Sequence, residues 1–289
     1  MTDLRFGISL ATPGSHDDLV RTCQTAEAHG FDTVVAVDHL GPNRTSPFQV
    51  LLAAAHASDR LTVGTYVLNT AFWNPWMLAR EVQTIQRLTG NRLELGLGAG
   101  IIKQEFDAAG IPWRPMDDRM AHLRSTLDEL AALLGPEEGV RAPRTLIGGT
   151  GDRALTFAAR HADIVSIGGI LHVKGKATGN FRIIDAAETD GRVALVRAAA
   201  GDRDVELNSF VQVVELTDDR TAAAERIAAD WELPVEVVLD SPFVLLGTEH
   251  EIAAQVAANH RRYGFTAVYV QRPYLDALGP AIKIARSLV

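Results

Sequence analysis

Of the 289 residues, only Cys23 is a cysteine. An internal disulfide framework is therefore excluded. Cys23 sits in a helical pattern beside Val20, Ala26 and Glu27, where the thiol is expected to pack as a small buried hydrophobe. Aromatic residues are few, 6%, but hydrophobic residues together reach 47%, enough to fill a core. An apolar run long enough to cross a bilayer is missing. So is a signal-peptide pattern, since Met1-Thr2-Asp3-Leu4-Arg5 leads straight into a strand. The expectation is a cytoplasmic protein without a membrane partner. An excess of basic residues is missing too: the formal charge is −8, which disfavours nucleic acid as a partner. No metal site is expected.

What is present is an alternation of strands and helices. Residues 4–10, 33–37, 61–68, 92–97, 145–147, 163–167, 205–215 and 267–271 read as strands. The run Thr33-Val34-Val35-Ala36-Val37 is apolar throughout, as in a parallel strand covered on both faces. Helices separate the strands. Ser15 can cap the first, with Asp18 completing a variant capping box; Gly30 ends it. Asn74-Pro75 places a cap and a first-turn proline before Leu78, Val82 and Ile85. Met120, Leu123, Leu127, Leu130 and Leu134 form another helical stripe. Eight such units without a linker predict one α/β domain over residues 1–289: a (β/α)₈ TIM barrel with loop insertions at the C-terminal face. An open doubly wound sheet is the alternative. Residues 170–191 read as a long irregular loop containing Lys174, Gly175, Lys176, Gly179 and Arg182, and long loops in compact domains usually carry function.

The most informative stretch is Gly96-Leu97-Gly98-Ala99-Gly100. A dinucleotide-binding turn would open directly into a helix and be followed by a carboxylate about 20 residues later. Here Ile101-Ile102-Lys103-Gln104-Glu105-Phe106 follows, which argues for a strand-end loop over a barrel mouth. Strand phase points Gly96 and Gly98 inward, and such small residues should leave a cavity at the catalytic face. Arg5 and Glu94, inward near the strand starts, need charged partners, each other in the first instance.

Asp38-His39 stands at the C-terminal end of the second strand, where barrel enzymes keep their active sites, and histidine suits proton transfer near neutral pH. Phe72, Trp73 and Trp76, just past Tyr66-Val67-Leu68-Asn69, serve equally as a cover for the rim or as walls for a planar ring. Gly148-Gly149-Thr150-Gly151 lies between strand and helix. It reads either as a tight turn or as an anion site made of free N–H groups and a helix dipole.

These segments, in this order, resemble the bacterial luciferase-like superfamily of flavin and deazaflavin enzymes. The resemblance rests on Gly30-Phe31-Asp32, Asp38-His39, Glu81, Gly90-Asn91-Arg92, Gly98-Ala99-Gly100, Glu105-Phe106, Gly110-Ile111-Pro112, Arg119 and Gly247-Thr248. It spans nearly the whole chain. Leu93 to Gly100 and Leu216-Thr217-Asp218-Asp219-Arg220 look most like the actinobacterial coenzyme F420-dependent oxidoreductases.

The resemblance implies a deazaflavin ring at the strand ends, with His39 as proton donor or substrate anchor and Asp38 orienting it. It implies a non-prolyl cis peptide at Tyr66–Val67 behind the ring. Asn69, Ala99 and Gly100 would contact the cofactor, and Gly148, Gly149 and Thr150 its phosphate. Trp73 and Trp113 would contact substrate. Two departures matter. The superfamily's sugar-phosphate dehydrogenases carry a tryptophan where Asn43 stands and a glutamate where Ile101 and Ile102 stand, so sugar-phosphate oxidation is not expected. The connection over residues 135–144 is also short, which opens the mouth. The expected activity is hydride transfer between F420 and a small organic substrate, with reduction of C=C or C=N ahead of alcohol oxidation. The alternatives are an FMN-dependent monooxygenase and a non-catalytic flavin- or metabolite-binding barrel. A homodimer is left open.

Overall fold

The computed structural model describes residues 4–10, 12–135, 139–172 and 181–289. Lys174, Gly175, Lys176, Gly179 and part of the short 135–144 connection lie outside the described residues. The barrel strands are β1 (Arg5–Ser9), β2 (Thr33–Ala36), β3 (Thr62–Thr65, resuming at Leu68–Asn69), β4 (Leu93–Gly98), β5 (Arg144–Gly149), β6 (Ile164–Ile167), β7 (Glu206–Phe210) and β8 (Phe265–Gln271). Each pairs with its neighbours in sequence and β1 pairs with β8, so the sheet closes into a parallel TIM barrel. The helices are α1 (His16–His29), α2 (Pro47–His56), α3 (Pro75–Thr89), α4 (Lys103–Ala108), α5 (Met116–Leu133), α6 (Asp152–His161), α7 (Ala186–Ala200), α8 (Arg220–Trp231), α9 (Val235–Asp240), α10 (Glu249–Tyr263) and α11 (Leu275–Ser287). No described helix is long and apolar enough to cross a membrane.

Contacts group the chain into two compact units. One holds the chain start through Ile8, Ala26–Asp32 and Gly148–Val289. In it the Gly30-Phe31-Asp32 element has a clear purpose. Asp32 Oδ2 accepts from Phe6 N at 2.7 Å and from Arg286 Nη2 of α11 at 2.5 Å, and Arg286 lies over the Phe6 ring. Gly7 is glycine because a Cβ there would fall 2.4 Å from the Tyr269 ring. Arg5 forks onto Glu206 at the start of β7, at 2.6 and 3.0 Å, a partner the sequence had not suggested. The second unit holds Ser9–Thr25 and Thr33–Ile147. Its helices start where expected: Asn74 accepts from Trp76 N and Met77 N at the head of α3. Ser15 Oγ accepts from Asp18 N, and the Asp18 carboxylate accepts from Gly14 N.

Two segments differ from expectation. The strand read over 205–215 breaks after Phe210, and Val213–Leu216 pairs instead with Val244–Gly247 in a separate two-stranded sheet. The segment 170–191 is not irregular throughout. Ile170–His172 and Phe181–Ile183 form an antiparallel pair, and α7 already starts at Ala186 under an Asp185/Glu188 capping box. Its alanine-rich first turn favours helix, and Gly191 is simply an interior residue of it.

Candidate active site

The site is built on the strand ends of the second unit. Val63 pairs with Leu93 and Gly64 with Glu94, but further on Leu68 pairs with Leu97 and Asn69 with Gly98. Between the two stretches β3 therefore carries one residue more than β4, which makes a bulge. The Tyr66–Val67 peptide lies in it and is cis, as the resemblance implied. The bulge explains the glycines opposite. A Cβ on Gly96 would lie 2.0 Å from Thr65 O, and one on Gly98 would lie 2.7 Å from Val67 Cγ2. The expected empty space over Gly96 and Gly98 is thus filled by the bulge, and Val67 occupies it. Gly100 has φ +74°, and a Cβ there would meet the Asn69 amide.

Asp38 is the hub behind the bulge. It is buried, and its Oδ2 accepts from Asn69 N at 3.1 Å and from Trp73 Nε1 at 2.8 Å. Trp73 packs edge-on against Phe48. Asp38, Asn69 and Trp73 are therefore one connected group, and its geometry makes Trp73 part of the frame. Burial pushes the Asp38 carboxyl above its ordinary range; the hydrogen bonds from Trp73 and Asn69 and the nearby His39 oppose this without cancelling it, and Glu105 adds to it. A carboxyl raised on folding binds its proton more readily in the native state, so stability falls as pH rises through the window from its ordinary value to the raised one. In Asp38→Asn one amide oxygen can still accept both bonds while the buried charge is gone. The expected result is an unfolding midpoint at pH 7 no lower than that of the parent. Any advantage should vanish on acidification below the ordinary carboxylate range. A variant clearly less stable at pH 7 would show that the ionised form is worth more to the fold than its burial costs.

His39 is not held by Asp38. Its Nδ1 lies 2.9 Å from Glu105 Oε1 on α4, and its side chain is 34% exposed against 12% for Glu105. Asp38 has its hydrogen-bonding oxygen on Asn69 and Trp73 instead. Two residues without a role in the sequence reading, Glu105 and Arg119, thus support the site. Arg119 lies 3.7 Å over the Trp113 ring, and its Nη1 donates to Gly100 O. Burial lowers its guanidinium from the usual value. Trp113 in turn meets Phe106 edge-on at 4.8 Å, so it is sandwiched between Phe106 and Arg119. The available signal was a carboxylate and an arginine after Gly98-Ala99-Gly100, both matching the family pattern; nothing in their spacing names their partners. Leu40 and Ile101, the chain neighbours of His39 and Gly100, are 39% and 67% exposed. Asn43 is left-handed at φ 58°.

Gly148, Gly149 and Thr150 belong to the other unit. They lead from β5 into α6, whose cap is Gly151. A Cβ on Gly149 would lie 2.6 Å from Ala154 Cβ, so Gly149 is demanded by its own helix, and a valine there would disturb α6. Thr150 O accepts from Arg192 Nε of α7 at 3.0 Å.

The model of the luciferase-like monooxygenase family matches residues 2–267. An F420-dependent glucose-6-phosphate dehydrogenase of Intrasporangium calvum is 36% identical over 119 residues, covering 38% of this chain and 36% of that relative. The chain thus matches little more than a third of the length of that protein. Among solved structures, the coenzyme F420-dependent tetrahydromethanopterin reductase of Methanopyrus kandleri superposes with a TM-score of 0.71 at 16% identity, over 99% of this chain and 98% of the other. The oxygenating constituent of 3,6-diketocamphane monooxygenase from Pseudomonas putida, in complex with FMN, superposes at 0.72 with 14% identity, over 99% and 98%. At these identities the likeness is one of fold. With the family model matching residues 2–267, this chain belongs to the luciferase-like monooxygenase family.

Proposed function

We propose that this protein is an F420-dependent oxidoreductase acting on a small, largely apolar organic substrate. The observation that carries the reading is the strand-end platform: Val67 packed over Gly98, with Asn69 and Asp38 locked behind it. Such a platform fits a planar heteroaromatic ring. One apolar side chain backs it, and the facing strand end contributes Gly96 and Gly98. When bound, the deazaflavin supplies or accepts the hydride. His39 holds and moves the proton, and Asp38 keeps Trp73 and the bulge in place. F420 is favoured over FMN because the relative at 36% identity is named for it. Gly148, Gly149 and Thr150 serve as an anion-binding turn at the head of α6, where N–H groups and the helix dipole favour a phosphate. Exposed Leu40 and Ile101 give the rim an apolar character that suits a C=C or C=N substrate better than a sugar phosphate.

The test is to denature the purified protein and identify any released chromophore, then to titrate the apoprotein with F420 and with FMN. Saturable F420 binding with much weaker FMN binding is expected. Preferred FMN binding, with oxygen consumption when a reductase is added, would replace this reading with the monooxygenase. Tight binding without turnover of any C=C, C=N or alcohol substrate would favour a carrier.

A further inference from the structure

We propose that Glu105 selects the working nitrogen of His39: it accepts the Nδ1 proton, fixes that tautomer, and leaves Nε2 as the atom that exchanges a proton with substrate. The last step rests on the oxidoreductase reading above. The pairing itself rests on geometry alone.

The N-cap of α4 is Ile102, so Glu105 occupies the third helical position. A glutamate there ordinarily reaches back to the N–H of the cap residue in a capping box. Here its carboxylate goes to His39 Nδ1 at 2.9 Å instead, and the helix starts without a side-chain cap. Ile102 at the cap cannot complete a capping box, and the Glu105 carboxylate goes to a contact 66 residues away in sequence rather than to its own helix start. The cation closest in sequence is already engaged, since Lys103 Nζ lies 2.6 and 2.7 Å from the Asp107 carboxylate. The other nearby carboxylate, Asp38, is committed to Asn69 and Trp73. His39 is thus the hydrogen-bond partner of the Glu105 carboxylate, and among the described residues His39 Nε2 has no protein partner.

The helix is also fixed in place. Phe106, next to Glu105, is buried and packs against Phe72 at 5.4 Å and Trp113 at 4.8 Å. Trp113 is in turn covered by Arg119, which holds the Gly100 carbonyl. The carboxylate is therefore delivered from a braced position, and the nitrogen that carries the proton is set by the bond the other nitrogen makes.

The proton balance follows. In the reducing direction a bound reduced deazaflavin would supply the hydride, and the substrate needs one proton besides. His39 enters as imidazolium, gives up the Nε2 proton, and stays neutral with Nδ1–H on ionised Glu105. In the oxidising direction neutral His39 takes the substrate O–H or N–H proton at Nε2, and a bound oxidised deazaflavin would be the hydride acceptor.

The test uses the full-length protein labelled with ¹⁵N-histidine, with His39 assigned by its absence from the spectrum of His39→Gln. At a pH where the ring is neutral, Nδ1 should carry the proton and Nε2 should show the shift of a bare nitrogen. Glu105→Gln is nearly isosteric, and its amide can present either oxygen or NH₂, so the two tautomers should mix. Turnover should then fall by about 10–100-fold, the range seen when the partner of a working metal-bound histidine is removed. KM and F420 affinity by fluorescence titration should change no more than a few-fold. A wild-type ring protonated at Nε2 overturns the assignment. So does a Glu105→Gln variant with mixed tautomers that turns over at the parental rate. A protein that binds no F420 defeats the oxidoreductase reading instead, and the ring spectrum still decides whether Glu105 sets the tautomer.

Discussion

Replacing His39 with alanine is expected to cut turnover by about 10²–10⁴-fold, the usual worth of a placed proton-transfer group. F420 affinity should change far less. The reason lies in how the side chain is held. It is the partly exposed member of a pair whose other member is nearly enclosed, at 34% against 12%, so it can reach a substrate while staying oriented. The connections behind the site do not run through it. Asp38 still joins Asn69 to Trp73, and Val67 still fills the space over Gly98. The measurement is paired: F420 titration by fluorescence, and single-turnover hydride transfer on a turned-over substrate. Turnover within a few-fold of the parent combined with lost binding would make His39 a cofactor clamp, with the proton coming from elsewhere. No change in either would move the active site away from β2.

Gly96→Ala is expected to be the most damaging small substitution in the second unit, at roughly 3 kcal/mol or more, the upper end of overpacking costs. The added methyl would sit 2.0 Å from Thr65 O, a backbone atom that no rotamer change can move. Thr65 is also tied to Gly96 twice, because its Oγ1 accepts from Gly96 N and donates to Gly96 O, both at 2.8 Å. Relieving the clash means separating β3 from β4 where the bulge begins. Gly151→Ala is the control: its Cβ would meet nothing within 4 Å, and its φ of −87° suits any residue. Chemical denaturation of both variants checks the expectation. A Gly96→Ala midpoint close to that of Gly151→Ala would show that the bulge yields more easily than the packing implies.

The barrel was legible because its signals are local. Alternation of strand and helix, apolar runs such as Thr33–Ala36, and the Asn74-Pro75 start depend on residues a few positions apart, and the structure places elements there. Chemistry-bearing side chains at strand ends were legible for the same reason: Asp38 and His39 follow β2 directly. Elements without a local period were misread. The break between Phe210 and Val213 depends on where Val244–Gly247 lies, and the Ala186 helix start was hidden by the glycines around it.

What the sequence by itself determined was therefore the kind of fold, the family pattern and the strand ends that carry Asp38, His39 and Asn69. Only the tertiary structure decided who holds whom. Asp38 and His39 are adjacent in the chain, yet Asp38 turns to Asn69 and Trp73 while His39 turns to Glu105, 66 residues away. The glycines of β4 looked like the walls of an empty mouth, but they are the only residues that let Thr65 and Val67 approach. Spacing along a chain fixes which residues can share a strand or a helix face. Which carboxylate meets which ring is set by the register between strands and by how the loops leaving them pack, and neither is written in any short stretch of sequence.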